Sequence, residues 1–288
     1  MIQWQLDWQH NLNAHQRFDR PSVYLDHWAV RRFAANPTLG ERFAAGLEVA
    51  NGTWAISLVN LLEFIAMTDE GQAAECERLI DRVHPRVFFI DFVAPTVAER
   101  ERALQSGGPR DAPYGDTELL GVYAASGKNS LSGFSAKELI RVIVQQRHRL
   151  RQQFQDFQSN IAAQMTVFRE EVMVDAELQK RIKGSQAAAC AMPALLMMRE
   201  VLGNIMLDPA KKITPNDAID FMHTVVPVAY CDFALLDAQW KHRVSSVVRR
   251  FREQNLQVRV ARVFGGTPED LEALFEAVRM FNPTPACG

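Results

Sequence analysis

Five short apolar runs, at residues 22–25, 54–57, 87–90, 233–236 and 258–264, limit what this chain can fold into. Each stays apolar or β-prone along its length instead of alternating with polar residues, which is the pattern of a strand buried on both faces. Segments of helical periodicity lie between them, most clearly at residues 58–67, 72–83 and 238–254. Strands alternating with helices build a parallel sheet covered on both faces, so the expected class is α/β. Thr214-Pro215 and Thr267-Pro268 each place a hydroxyl cap before a proline in the first helical position, marking two helix starts.

Residues 96–207 break this rhythm. They contain no convincing strand, and between Gly133 and Gly184 there is neither glycine nor proline. Leu139, Ile143, Leu150, Phe154, Phe157, Ile161, Phe168 and Val172 recur mostly at three- or four-residue steps, the spacing of one helix face. One helix over that span would be ~70 Å long, so it breaks, folds back as a hairpin or projects as an arm. The expected organisation is a discontinuous α/β domain (1–95 and 208–288) interrupted by an all-helical insertion (96–207). Residues 106–110 read as a loop.

Composition narrows the function classes. The 288 residues are 48% hydrophobic and carry a net charge of −2, which argues against a polybasic binder but leaves room for a local basic face. The four cysteines, Cys76, Cys190, Cys231 and Cys287, form no C-x-x-C pair, so a thiolate zinc site is not expected and a reducing compartment is. The first residues lack the pattern of a signal peptide, and the longest apolar run, 187–198, holds Pro193 and is too short to span a bilayer. The expected location is cytoplasmic, with no membrane partner.

Acids at strand ends carry the chemistry. Asp26 and Asp237 follow the first and fourth strands, and in an open parallel sheet ligands sit beyond the carboxyl ends of the strands. Asp26 also reads as a helix N-cap. Glu63 lies among Leu61, Leu62, Phe64 and Ile65, either solvent-facing on an amphipathic helix or aimed at the strand ends, and Asn60 shares its face three residues earlier, with Ser57 before it. Asp217, Asp220 and His223 step by three along one helix. The Thr214 cap accounts for Asp217, so Asp220 is preferred as a ligand; His223 is a ligand, a phosphate contact or, preferably, a packed helix residue. Asp232, at the amino end of the fourth strand, is assigned a turn or outer role. Four clustered carboxylates need protons or a cation, and oxygen ligands select Mg²⁺ or Mn²⁺. Glycine-rich nucleotide loops, a paired-aspartate phosphatase motif and a serine elbow are all absent.

The segments Val23-Tyr24-Leu25-Asp26, Ile56-Ser57-Leu58-Val59-Asn60-Leu61-Leu62-Glu63 and Asp220 followed by Asp237 resemble the PIN domain of metal-dependent nucleases. The stretch Asn216-Asp217-Ala218-Ile219-Asp220-Phe221-Met222-His223, with Tyr230-Cys231-Asp232, is similar to a bacterial PIN-like subgroup. The likeness covers roughly residues 20–95 and 212–282; the helical insertion departs from the compact domain. It implies a three-layer fold with five parallel strands in the order 3-2-1-4-5 and a Mg²⁺- or Mn²⁺-dependent endoribonuclease. The implied ligands are Asp26, Glu63, Asp220 and Asp237. Many members of that family are toxins paired with an antitoxin.

RNA, or another single-stranded nucleic acid, is then the expected substrate. Lys241 and Arg243, close after Asp237, are the preferred phosphate contacts among His242, Arg249, Arg250 and Arg252 and the insertion's Arg141, Arg147, Arg149 and Arg151. Trp28 and Trp240 stack bases or belong to the core. The competing reading is an inactive scaffold on the same fold, whose insertion binds a second copy of the chain or a protein partner.

Overall fold

The computed structural model describes residues 1–6, 12–66, 69–104, 112–128, 143–184 and 192–282. The loop read at 106–110, Leu139, Arg141, Cys190, Cys287 and part of the apolar run at 187–198 lie outside them. The chain is α/β. Strands β3 (Ser22–Leu25), β4 (Thr53–Ser57), β5 (Val87–Ile90), β6 (Phe233–Leu235) and β7 (Arg262–Phe264) form one parallel sheet in the order β5-β4-β3-β6-β7. The first four are buried along their whole length, as uninterrupted apolar runs require.

Alternate residues of those strands feed two separate cores. Tyr24, Ala55, Phe88 and Ala234 point to one face, and Val23, Leu25, Trp54, Ile56, Phe89 and Leu235 to the other. Helices α1 (His27–Ala35), α2 (Pro37–Val49) and α4 (Glu70–Val83) cover the second face, together with α6 (Thr117–Lys128) and α12 (Pro268–Arg279). Between α2 and α4, β4 runs into the single-turn helix α3 (Leu58–Leu62) and then a 3₁₀ turn at Glu63–Ala66. The helix expected over 58–67 therefore tightens at Glu63.

The other face packs against α5 (Ala94–Ala103), α7 (Arg147–Val174), α9 (Pro193–Met206), α10 (Pro215–Tyr230) and α11 (Ala238–Glu253). In the segment read as an insertion, α7 runs 28 residues, about 42 Å at ~1.5 Å per residue. It ends at Asp175, whose carboxylate accepts from Leu178 N at 2.9 Å and starts α8 (Ala176–Lys183). Val97, Ala162, Met165, Val172 and Val201 join the same core as Tyr24 and Ala234, so these helices complete a layer over the sheet. Buried Glu101 binds the layer together: it accepts from Ala194 N and Leu195 N, both at 2.9 Å, and from the Tyr230 hydroxyl.

One expectation needs correction, and one element was not expected. The last strand covers only Arg262–Phe264, because the chain before it is engaged elsewhere: Ala261 N donates to Val228 O at 2.8 Å, and Arg259 reaches Tyr230 O and Asp232. An antiparallel hairpin, β1 (Ile2–Leu6) with β2 (Leu12–Gln16), stands apart from the main sheet; Gln16 is anchored to Phe89 by its side-chain amide. Among the described residues no helix is long and apolar enough to cross a membrane.

Candidate metal centre

Asp26 and Asp237 occupy the carboxyl ends of two neighbouring strands, β3 and β6. Both also cap helices. Asp26 accepts from His27 N at 2.6 Å and starts α1; Asp237 accepts from Trp240 N at 2.8 Å and starts α11. A cap and a functional acid are thus compatible, since the cap engages one carboxylate oxygen and leaves lone pairs on the other. Asp26 is buried at 8% exposure. Burial raises its pKa, helped by the charges of Asp220 and Asp237 and opposed by His223 and the His27 N–H.

Glu63 reaches the same place through the turn after β4. Ser57 caps α3 in a closed box with Asn60: Asn60 N donates to Ser57 Oγ, and Asn60 Oδ1 accepts from Ser57 N and Oγ, both at 3.1 Å. The Asn60 amide then donates to Leu25 O at 3.3 Å, one residue before Asp26. Ser57 and Asn60 are therefore positioning residues. They clamp the β4 turn onto the end of β3, and the 3₁₀ turn that follows carries Glu63 toward Asp26.

The centre of the cluster is a histidine. Three turns of nearly all-buried helix surround His223, which is itself 1% exposed. Its Nδ1 lies 2.8 Å from Tyr24 Oη and 3.8 Å from Asp26 Oδ1; its Nε2 lies 3.3 Å from Asp220 Oδ1. Ligand atoms of Asp26, Glu63 and His223 lie within 4.8 Å of one another. Burial alone would lower the His223 pKa, but the Asp220 hydrogen bond and the charges of Asp26 and Glu63 outweigh it and lift the pKa to about 9. Glu63 moves to about 8, driven first by burial and then by Asp26 and Asp220, against the pull of His223.

The four expected carboxylates do not form a four-acid ligand set. Asp220 stands behind His223, its other oxygen taking Trp240 Nε1 at 3.0 Å and Asn216 Nδ2 at 3.2 Å. Asp237 caps α11, lies outside the group of ligand atoms that approach within 4.8 Å, and acts on Asp26 through charge. The remaining candidates are accounted for by structure. Asp217 closes a box with Thr214 and pairs with Lys211. Asp232 binds Arg20, Arg259 and Ser22 at the amino end of β6, away from the cluster. Lys241 is bound by both oxygens of Asp270 at 2.7 Å, which removes it as a free phosphate contact. Arg243 lies over the Trp240 ring, 5.7 Å from its centroid, and Trp240 is core.

His27 is the residue that sequence reasoning missed. Its Nδ1 and Glu63 Oε2 are buried, have no hydrogen-bond partner, and face each other at 3.8 Å. Burial first, and then Arg31, lower the His27 pKa to about 4, so its ring is neutral at physiological pH. An unpartnered buried carboxylate oxygen beside two further ligand atoms is a fit for a divalent cation. The imidazole in the donor set favours Mn²⁺ over Mg²⁺ relative to an all-oxygen site. No family model, curated protein or solved structure matches the chain.

Proposed function

We propose that this chain is a metal-dependent endoribonuclease whose Mn²⁺ or Mg²⁺ is held by Asp26, Glu63 and His223. One observation carries the reading: two carboxylates and an imidazole from three separate elements meet within 4.8 Å at the carboxyl edge of a parallel sheet. The strand order is the one the PIN-domain likeness implies, which adds support. Held there, a divalent ion would supply an activated water and a charge to offset that growing on a phosphate. The chain's own groups set the stage. Asp220 fixes the His223 ring through Nε2 and so keeps Nδ1 on the Asp26 side. Tyr24 Oη lies 2.8 Å from that nitrogen and would have to release it for the ring to ligate there. Neutral His27 lies beside the acids, its buried Nδ1 3.8 Å from Glu63 Oε2 and placed to exchange a proton with it.

The test is Mn²⁺- and Mg²⁺-dependent cutting of a single-stranded RNA by the wild-type chain and by Asp26→Asn. The variant keeps a cap-competent side chain, so it is expected to fold and to lose activity at least ~100-fold. Cutting that survives in Asp26→Asn, or no ion-dependent cutting at all, refutes the reading.

A second reading has its own observation. His223, lifted to about 9, already supplies a counter-charge to the acids, so the cluster is tolerable with no ion. On that reading the chain is a scaffold. Saturable Mn²⁺ binding by calorimetry favours the first reading, and its absence the second.

A further inference from the structure

We propose that the cleft between α1 and α7 is a phosphate-binding subsite, in which Arg31 and Arg151 hold the backbone of single-stranded nucleic acid beside the acidic centre. The cleft has a volume of about 270 Å³, and His27, Glu63 and Asn216 bring it against that centre. One wall is the α1 face bearing His27 and Arg31, four residues apart and so on one side of the helix. The opposite wall is α7, where Arg151, Phe154, Gln155 and Gln158 follow the i, i+3, i+4, i+7 spacing of a single face.

The two arginines are exposed, and neither makes an ion pair among the described residues. Two of the other candidate phosphate contacts are engaged, Lys241 by Asp270 and Arg147 by Glu70 at 3.8 Å. Free guanidinium groups on facing walls suit a phosphate oxygen pair better than a small neutral ligand. His27 and Glu63 line the cleft as well as the acidic centre, so a strand held by the two arginines would lie directly beside that centre. Half-buried Phe154 offers a ring face for a sugar or base, and the Gln155 and Gln158 amides offer hydrogen bonds to a 2′-hydroxyl. The insertion thereby acquires a role: α7 forms one side of the substrate path.

The proposal relies on the nuclease reading only for the choice of ligand, and it is tested by binding rather than cutting. Fluorescence anisotropy of twelve-nucleotide single-stranded RNA and DNA, in EDTA, is measured against the full chain over a salt series. Arg31→Ala and Arg151→Ala are each expected to weaken RNA binding about five- to tenfold and to flatten the slope of log Kd against log salt by about one. Lys241→Ala, already neutralised by Asp270, serves as the control with wild-type affinity. Equal losses on DNA mean that phosphate alone is read; losses confined to RNA add the 2′-hydroxyl; both support the subsite. Wild-type affinity and slope in both arginine variants, or no binding of either strand by the wild-type chain, overturns it. Arginine-dependent binding without any ion-dependent cutting leaves the subsite standing and removes the nuclease reading.

Discussion

Replacing Glu63 by glutamine should stabilise the metal-free protein. The Glu63 carboxyl has an ordinary pKa of 4.5 in an unfolded chain and about 8 in the fold. The folded state therefore holds this proton more tightly than the unfolded state does. Its contribution is fully present below pH 4.5 and is lost as pH rises toward about 8. At pH 7 the loss is about 3 kcal/mol, from ~1.4 kcal/mol for each pH unit above 4.5. The Glu63 side chain is 20% exposed and lines an open cleft, so water screens part of this; about 1–3 kcal/mol is the expected gain for an uncharged isostere.

The assay is urea unfolding in EDTA at about pH 5, 7 and 9. Wild type and Glu63→Gln should coincide near pH 5 and diverge as pH rises, with the variant the more stable. In a thermal scan each kcal/mol appears as roughly 2–4 °C for a chain of this size. Adding Mn²⁺ should reverse the order, because only the wild type keeps the full ligand set; an ion at 100 times its Kd contributes about 2.7 kcal/mol. A variant less stable than wild type at pH 7–9 in EDTA refutes the reasoning, as does a difference that does not change with pH.

Asn60→Ala should cost about 1–3 kcal/mol, since it opens the Ser57 box and leaves buried Leu25 O without its amide donor; a thermal melt unchanged from wild type would contradict this. The same variant should lower ion-dependent cutting, because Glu63 hangs from that turn. Ion binding should release protons near pH 7, since Glu63 and His223 hold them in the free protein. Calorimetry in two buffers of different ionisation enthalpy counts the protons, and identical heats in both buffers would argue against ligation by these groups.

The sheet was legible because its strands are buried on both faces, which leaves uninterrupted apolar runs in the sequence. The two strand-end aspartates followed from it. Glu63 did not, since its placement depends on a helix that tightens into a 3₁₀ turn, and nothing in its apolar neighbours distinguishes that from a solvent-facing position. The role of His223 was legible in the sequence. A histidine inside a segment as apolar as residues 218–230 must find a polar partner, and the tyrosine of the first strand and the aspartate one turn earlier were both available. The hairpin β1–β2 was also there to read, since Ile2-Gln3-Trp4-Gln5-Leu6 alternates with a two-residue period. The α1–α7 cleft could not be read, because it exists only once α7 docks on the core through Ala162, Met165 and Val172.

The placement of His223 changes what a cluster of acids implies. Clustered carboxylates need protons or a cation, and the fold provides a cation of its own in a ring buried between Asp26, Asp220 and Tyr24. That ring and Glu63 hold protons where an ion would need lone pairs, so protons and metal compete for the same atoms. The competition explains how the apo fold tolerates the cluster without weakening the case for a metal. A purely structural imidazolium pair needs one acid partner, whereas here several acids converge and Glu63 Oε2 is left without any partner, at a cost in stability. On the proposed reading that unpartnered oxygen would take the ion, and the two unpaired arginines of the adjoining cleft would hold the anionic strand.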